Sequence, residues 1–272
     1  VSSMPPENPY AAPQSLDADP NSPPSIVTSA ARSLHEFRSP DKLYTAAKVL
    51  LIIYCIILAL SVVSSFMQLS LLQEAADEPG PNFDSRATAN DIREQFVGVT
   101  QILWFLVTGI VCLTLLRRLR WNVDTLGAKG LDSSPGWSIG WFFVPIANLW
   151  KPYQATAQTW QASVNPSDWR RAATPWLFPV WWVLWIIDGF VDRFSNRIPL
   201  DTLPQLIIAT WMDVASLALT LVLTGCFIKL LSETTSAQIE THQRLSSEAE
   251  QLVAENPWTG TAGTPPALES RL

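Results

Sequence analysis

The chain predicts an all-α integral membrane protein with four transmembrane helices, a proline-broken re-entrant or amphipathic segment before the third, and polar, disordered tails. Three observations carry that expectation. Apolar runs between about residues 43 and 232 are too long for the helices of a soluble domain. Charged residues make up only 15% of the 272, and they gather in the tails and loops. Between Pro135 and Tyr153 the chain reads PGWSIGWFFVPIANLWKPY, uncharged until Lys151 and interrupted by Pro145 and Pro152. A broken helix at membrane depth must be covered by protein or line a polar cavity, because lipid cannot satisfy the carbonyls it frees.

Taken in order, residues 1–40 are rich in Pro, Ser and Asn, as in PPENPYAAPQ. Such a segment buries too little surface to fold, and a disordered tail is expected. No basic stretch precedes a short apolar run there, so no cleaved signal peptide is expected. Ser39-Pro40-Asp41 then starts a helix, with a capping residue, a proline for the first turn and an acid at the positive dipole end. The first span covers 44–72. An acidic stretch follows, with Glu74, Asp77, Glu78, Asp84, Asp91 and Glu94, broken by Pro79-Gly80-Pro81. The second span, 96–116, reaches about 31 Å and stops at Arg117-Arg118-Leu119-Arg120.

The irregular element occupies 136–163 together with the polar-aromatic piece YQATAQTWQAS. Its 137–150 portion would reach about 21 Å as a helix, short of the ~30 Å hydrocarbon core, so it is expected to re-enter or lie in the interface. Thr174-Pro175 opens the third span, 175–194, which carries Trp176, Trp181, Trp182 and Trp185. The fourth, 206–231, contains Asp213. Residues 233–272 read as a second tail, helical where Leu245, Ala249, Leu252 and Val253 recur at helical spacing, then rich in Pro and Gly.

With four spans and the N-terminus inside, only Arg86, Arg93, Arg193 and Arg197 of the 18 basic residues fall outside. The positive-inside rule then places both termini in the cytoplasm. The net charge of −6 comes mostly from tails and loops, and no basic, aromatic-interleaved stripe suggests nucleic acid. Cys55, Cys112 and Cys226 lie in apolar runs without a CxxC pair and read as reduced packing residues. His35 and His242 stand in opposite tails, which leaves no basis for a histidine metal site or a Ser-His-Asp triad. No phosphate-cradling Gly-rich loop is present. No catalytic residue, cofactor or metal is therefore expected, and the chain is expected not to be an enzyme.

Two sets of residues remain as candidates. Pro145 lacks an N–H and its ring clashes with the carbonyl of Trp141, and Pro152 does the same to that of Asn148. The Asn148 side chain is placed to cap the helix after the break. Gly136 and Gly140 form a small-xxx-small step that would admit a neighbouring helix. Asp188 and Asp213 are the acidic residues expected within membrane depth, about 9 Å and about 15 Å in from the outer ends of their helices. Intramembrane carboxylates are functional suspects, and a close pair would share a proton. The plainer expectation has Asp188 at a wet interface with Asp192 and Arg193, and Asp213 hydrogen-bonded to a neighbouring helix.

From Arg117 to Ser163 the chain reads RRLRWNVDTLGAKGLDSSPGWSIGWFFVPIANLWKPYQATAQTWQAS. The elements Arg120 and Asn122, Gly127, Ser134 to Trp137, Gly140-Trp141-Phe142, Pro145, Asn148-Leu149, Pro152-Tyr153 and Ala162-Ser163 together resemble the core signature of a bacterial multi-pass membrane protein family, catalogued as domain of unknown function 4328. The resemblance implies an architecture in the bacterial cytoplasmic (inner) membrane and brings no activity with it. The expected function is a non-enzymatic scaffold or accessory subunit, in contact with the lipid bilayer and with a protein partner or a second copy. The alternative is a small transporter or channel that uses the break at Pro145–Asn148 and the intramembrane Asp213.

Overall fold

The structure, a computed structural model, describes Leu34 and residues 36–255. Most of the expected N-terminal tail and the Pro/Gly-rich end lie outside the described residues. The elements are α1 (Asp41–Ala76), α2 (Phe83–Thr125), the single turn α3 (Trp137–Gly140), α4 (Lys151–Val164), α5 (Leu177–Ser195) and α6 (Leu203–Glu255). Short 3-10 turns stand at Trp141–Phe143, Ala147–Leu149 and Trp169–Arg171. Among the described residues all regular structure is helical. Three helices, α1, α2 and α6, are long and apolar enough to cross a membrane, which indicates a membrane protein. The 19 residues of α5 give about 28 Å, with Asp188 and Asp192 in its second half.

Each long helix outruns the apolar run that predicts it. At one end Pro79-Gly80-Pro81 turns the chain, and Asn82 takes a left-handed φ of 65° that Asn tolerates well. Helix α2 then starts at Phe83, so most of the acidic stretch is helical. The hairpin is tied by a bidentate pair in which Arg86 donates to both Glu74 carboxylate oxygens at 2.8 and 2.6 Å. That guanidinium holds the Glu74 carboxyl below the usual carboxylate range. At the other end α2 continues through Arg117-Arg118-Leu119-Arg120 to Thr125 and closes at Gly127, whose φ of +93° suits glycine. Helix α6 does not stop at Leu231 but runs on for 53 residues in all.

The four long elements alternate in direction. Helix α1 packs along α2 and α6, and α5 along α6. The end bearing Arg117 and Lys151 is basic, and the end bearing Glu74 and Asp192 is acidic. At the basic end Ala47 and Leu51 meet Leu115, Leu119 and Leu231, while nearer the acidic end Tyr54 and Leu58 meet Leu217. Helix α4 lies across the basic end and touches α2, α5 and α6. Facing outward is an apolar belt: Ile52, Ile56 and Leu60 on α1, Ile102, Phe105 and Leu106 on α2, Val183, Ile187 and Phe190 on α5, and Ile208 and Val222 on α6. An exposed apolar surface of that extent on a folded chain is a lipid-facing or partner-facing surface.

Candidate functional site

The signature residues of α2 are buried and their polar atoms are taken up by the backbone around them. Arg120 is 5% exposed; its Nε donates to the Ser133 carbonyl and its Nη1 to the Asp124 carboxylate, each at 2.7 Å. The Ser133 hydroxyl accepts from the indole N–H of Trp141 at 3.0 Å. A buried guanidinium is tolerable only when paired in this way. One pair thus fastens the loop after α2 to its last turns, and the start of the broken segment to that loop.

Asn122 is fully buried and sits at the centre of a second knot. Its Nδ2 donates to the Arg38 carbonyl at 2.9 Å and to Gln238 Oε1 at 3.1 Å, and its Oδ1 accepts from the Arg38 N–H at 3.4 Å. Gln238, also fully buried, donates from Nε2 to the Leu119 carbonyl at 2.7 Å and to the Ser163 hydroxyl at 3.0 Å. Four segments therefore meet in one network: the residues before α1, the end of α2, the end of α4 and the extension of α6. Beside it the Arg38 guanidinium lies 4.6 Å from the Trp121 ring, and Phe37 stacks on His242 at 4.0 Å. Burial pushes the His242 imidazole below its ordinary pKa. Gln238 falls in the stretch that reads as a tail, and only its position two turns before Leu245 hints at a packed role.

The broken segment follows from its prolines. Val144 turns extended, at ψ 113°, as a residue before proline does. Ile146 then adopts φ 69°, ψ −56°, and the Ala147 N–H donates back to the Pro145 carbonyl at 2.8 Å. This is a γ-turn of the positive-φ kind, strained for any residue and more so for a β-branched one. Pro152 sits in the first turn of α4, where its missing N–H leaves nothing unsatisfied; it opens that helix rather than ending one. The expected cap at Asn148 is not made, since the N-cap position of α4 is Trp150 and carries no side-chain cap. The segment is pinned instead by Trp182, whose indole N–H donates to the Leu149 carbonyl at 2.9 Å. Phe142 meets Trp185 edge-on at 6.4 Å, Tyr153 lies 6.4 Å from Trp182, and Trp137 lies 4.6 Å from Trp141. No helix uses the small-residue step: a Cβ on Gly140 would meet the Trp137 ring at 3.2 Å, and Gly136 faces open space. The cavity beneath, lined by Leu116, Leu119, Ala155 and Leu230 with Ser138, Thr156, Thr159 and Thr234, holds only about 10 Å³.

Asp188 and Asp213 are not joined. Helices α5 and α6 run antiparallel with their seam in strict register. Ser195 donates to Asp213 at 3.4 Å, Ser216 to Asp192 at 2.6 Å and Thr220 to Asp188 at 3.0 Å. Two turns further toward the basic end, Trp181 stacks on Phe227 at 5.3 Å. Asp192, which sequence reading leaves as a boundary residue, stands between the other two and within electrostatic reach of both. The spacing Asp213, Ser216, Thr220 opposite Asp188, Asp192, Ser195 is the signal that marks it. Among the described residues no group of three or more His, Cys, Asp or Glu converges to hold a metal ion. Trp182 meets the Leu149 carbonyl and Ser195 meets Asp213 thirteen residues, about 20 Å, further along α5, so the break and Asp213 lie apart.

A family model described as a domain of unknown function, DUF4328, matches residues 81–236. That stretch begins before α2, contains the broken segment and both knots except Arg38 and Gln238, and ends inside α6. No curated protein and no solved structure matches the chain.

Proposed function

We propose that this chain, which belongs to the DUF4328 family, is a non-enzymatic integral membrane scaffold or accessory subunit whose basic end presents a rigid docking layer. The observation that carries this reading is the Asn122–Gln238 knot. Residues of the most distinctive stretch of sequence hold four chain segments together, and none of their polar atoms converges on a space where a substrate could react. Such fully satisfied buried networks fix one arrangement of a core. In this reading α5 is a fourth span, because its Val183, Ile187 and Phe190 continue the outward apolar belt and its length approaches the ~30 Å of the hydrocarbon core. The segment 137–150 is half-inserted, since Phe142 meets Trp185, eight residues and about 12 Å along α5 from its start. The basic end faces the cytoplasm of a bacterium, with both termini on that side, and the partner is a second protein or another copy.

Fusions of alkaline phosphatase at residues 78 and 199 should be active and a fusion after residue 255 inactive; the reverse pattern removes the orientation. For function, purified protein in vesicles should give no proton, sodium or potassium flux above protein-free vesicles. A flux that disappears in Asp213→Asn while assembly is retained would establish the second reading, a small transporter or channel. That reading is favoured by one observation, the three carboxylate–hydroxyl bonds along the α5–α6 seam, since acidic groups at membrane depth mark ion paths.

A further inference from the structure

We propose that the outward face of the broken segment is a binding surface for anionic phospholipid, with acyl chains against Phe143, Ile146 and Trp150 and the phosphate at Arg117, Arg118 and Lys151. The inference rests on the half-inserted placement of this segment and adds the chemistry of its partner.

The segment has two faces of opposite character. Ile139 and Phe142 pack inward on the core formed by Leu115, Leu116 and Leu119. The other side presents bulky apolar groups to the surroundings: Phe143 is 71% and Ile146 72% exposed, and Trp150 is 44% exposed. Side chains of this size displayed together on one face mark a surface that takes an apolar occupant. The occupant is lipid because the face continues the belt of α5. Trp182, which donates to the Leu149 carbonyl, neighbours the exposed Val183, so the segment joins a surface already turned to acyl chains. The strained turn puts Ile146 at the tip, where a relaxed helix would have folded its side chain back along the axis. Strain of this kind persists where surrounding structure enforces it and gathers at functional positions.

The charge around the face selects the headgroup. Arg117 and Arg118 lie on the α2 turns against which Ile139 and Phe142 pack, and Lys151 follows Trp150 directly, its Nζ 5.8 Å from the Trp141 ring. Among the described residues none of the three forms an ion pair, whereas Arg86, Arg93, Arg120 and Arg171 all do. Cations left without carboxylate partners beside an apolar wedge, with tryptophans at the boundary, match a leaflet surface bearing phosphate.

The test uses the full chain in nanodiscs of an equal mixture of phosphatidylcholine and phosphatidylglycerol, with the photoreactive residue benzoylphenylalanine placed at position 146 or, as a control, at position 187 on α5. Mass spectrometry should find phospholipid adducts at 146, enriched in phosphatidylglycerol by at least about fivefold, the contribution of a single basic residue at an anionic surface. The variant Arg117→Gln/Arg118→Gln/Lys151→Gln should keep the adducts and lose the enrichment. Adducts at 187 with none at 146 overturn the proposal while leaving α5 in the membrane. Absence of adducts at both positions removes the four-span reading itself. Adducts at 146 with no phosphatidylglycerol preference in the wild type overturn the headgroup assignment.

Discussion

Removing the Asn122 amide tests whether the knot at the basic end holds the molecule together. Asn122→Ala deletes two donated bonds, to the Arg38 carbonyl and to Gln238 Oε1, and one accepted from the Arg38 N–H. Each is a net contribution of about 1 kcal/mol, and Gln238 Oε1 is left buried without a donor at a further cost of about 1–3 kcal/mol. The 3.4 Å bond is long and contributes least, so the expected destabilisation is about 3–5 kcal/mol. The assay is denaturant titration in mixed micelles, read by maleimide labelling of Cys112, which is 6% exposed in the folded chain and packs with Leu115 and Leu231. Its midpoint should fall well below that of the wild type. Combined with Gln238→Ala, the loss should be smaller than the two single losses together by about 1 kcal/mol or more, because the variants share a bond. A single variant within about 0.5 kcal/mol of wild type, the range of ordinary surface changes, would refute the knot as a stabilising unit. Strict additivity of the pair would refute the Asn122–Gln238 contact.

Ile146→Gly should stabilise the chain by about 1 kcal/mol and so raise the same midpoint, because it releases a side chain held at positive φ; a lowered midpoint would count against strain in the turn. His242 is pushed down by burial, so the unfolded chain binds the proton more tightly. The contact between Phe37 and His242 is therefore fully present above the ordinary imidazole pKa of 6.5 and weakens as pH falls below it. Relative to the intrinsic exchange rate at each pH, amide protection at residues 37–39 should fall on acidification in the wild type and stay constant in His242→Phe. Arg86→Gln should return the Glu74 carboxyl to the ordinary range, seen by NMR titration. The hairpin tie it forms in the wild type is present above the unfolded carboxylate pKa and lost as pH falls through the lowered value.

Apolar length alone is enough to place α1, α2 and α6, since the hydrocarbon core demands runs that soluble helices lack. Their ends are a different matter. Composition marks 73–95 as a loop, yet Asn82 restarts a helix at once and Arg86 reaches back to Glu74, a pairing between residues 12 apart that no local pattern shows. The signature around Arg120 and Asn122 is legible as a packing unit. Its partners Ser133, Arg38 and Gln238 are not, because one accepts through a backbone carbonyl and the others come from the two expected tails. Pro145 breaks the segment as its ring requires, but the capping role expected of Asn148 passes to no side chain, and an indole on another helix secures the carbonyl of Leu149 instead. Along α5 and α6 the plainer expectation for Asp213, a hydrogen bond to a neighbouring helix, describes the Ser195 contact. Asp192 emerges only once both helices are set in register.

The continuity of α6 joins the two ends of the molecule through one unbroken helix. Its 53 residues make a rod of about 80 Å, with the knot at Gln238 about 53 Å from one end and about 26 Å from the other. Before the knot the rod is packed along α1 and α5, and at the knot it is held by Asn122, Leu119 and Ser163, so the last stretch of about 26 Å continues, without a joint, a helix clamped over the rest of its length. The far tip of α6 therefore takes its direction from the apolar bundle.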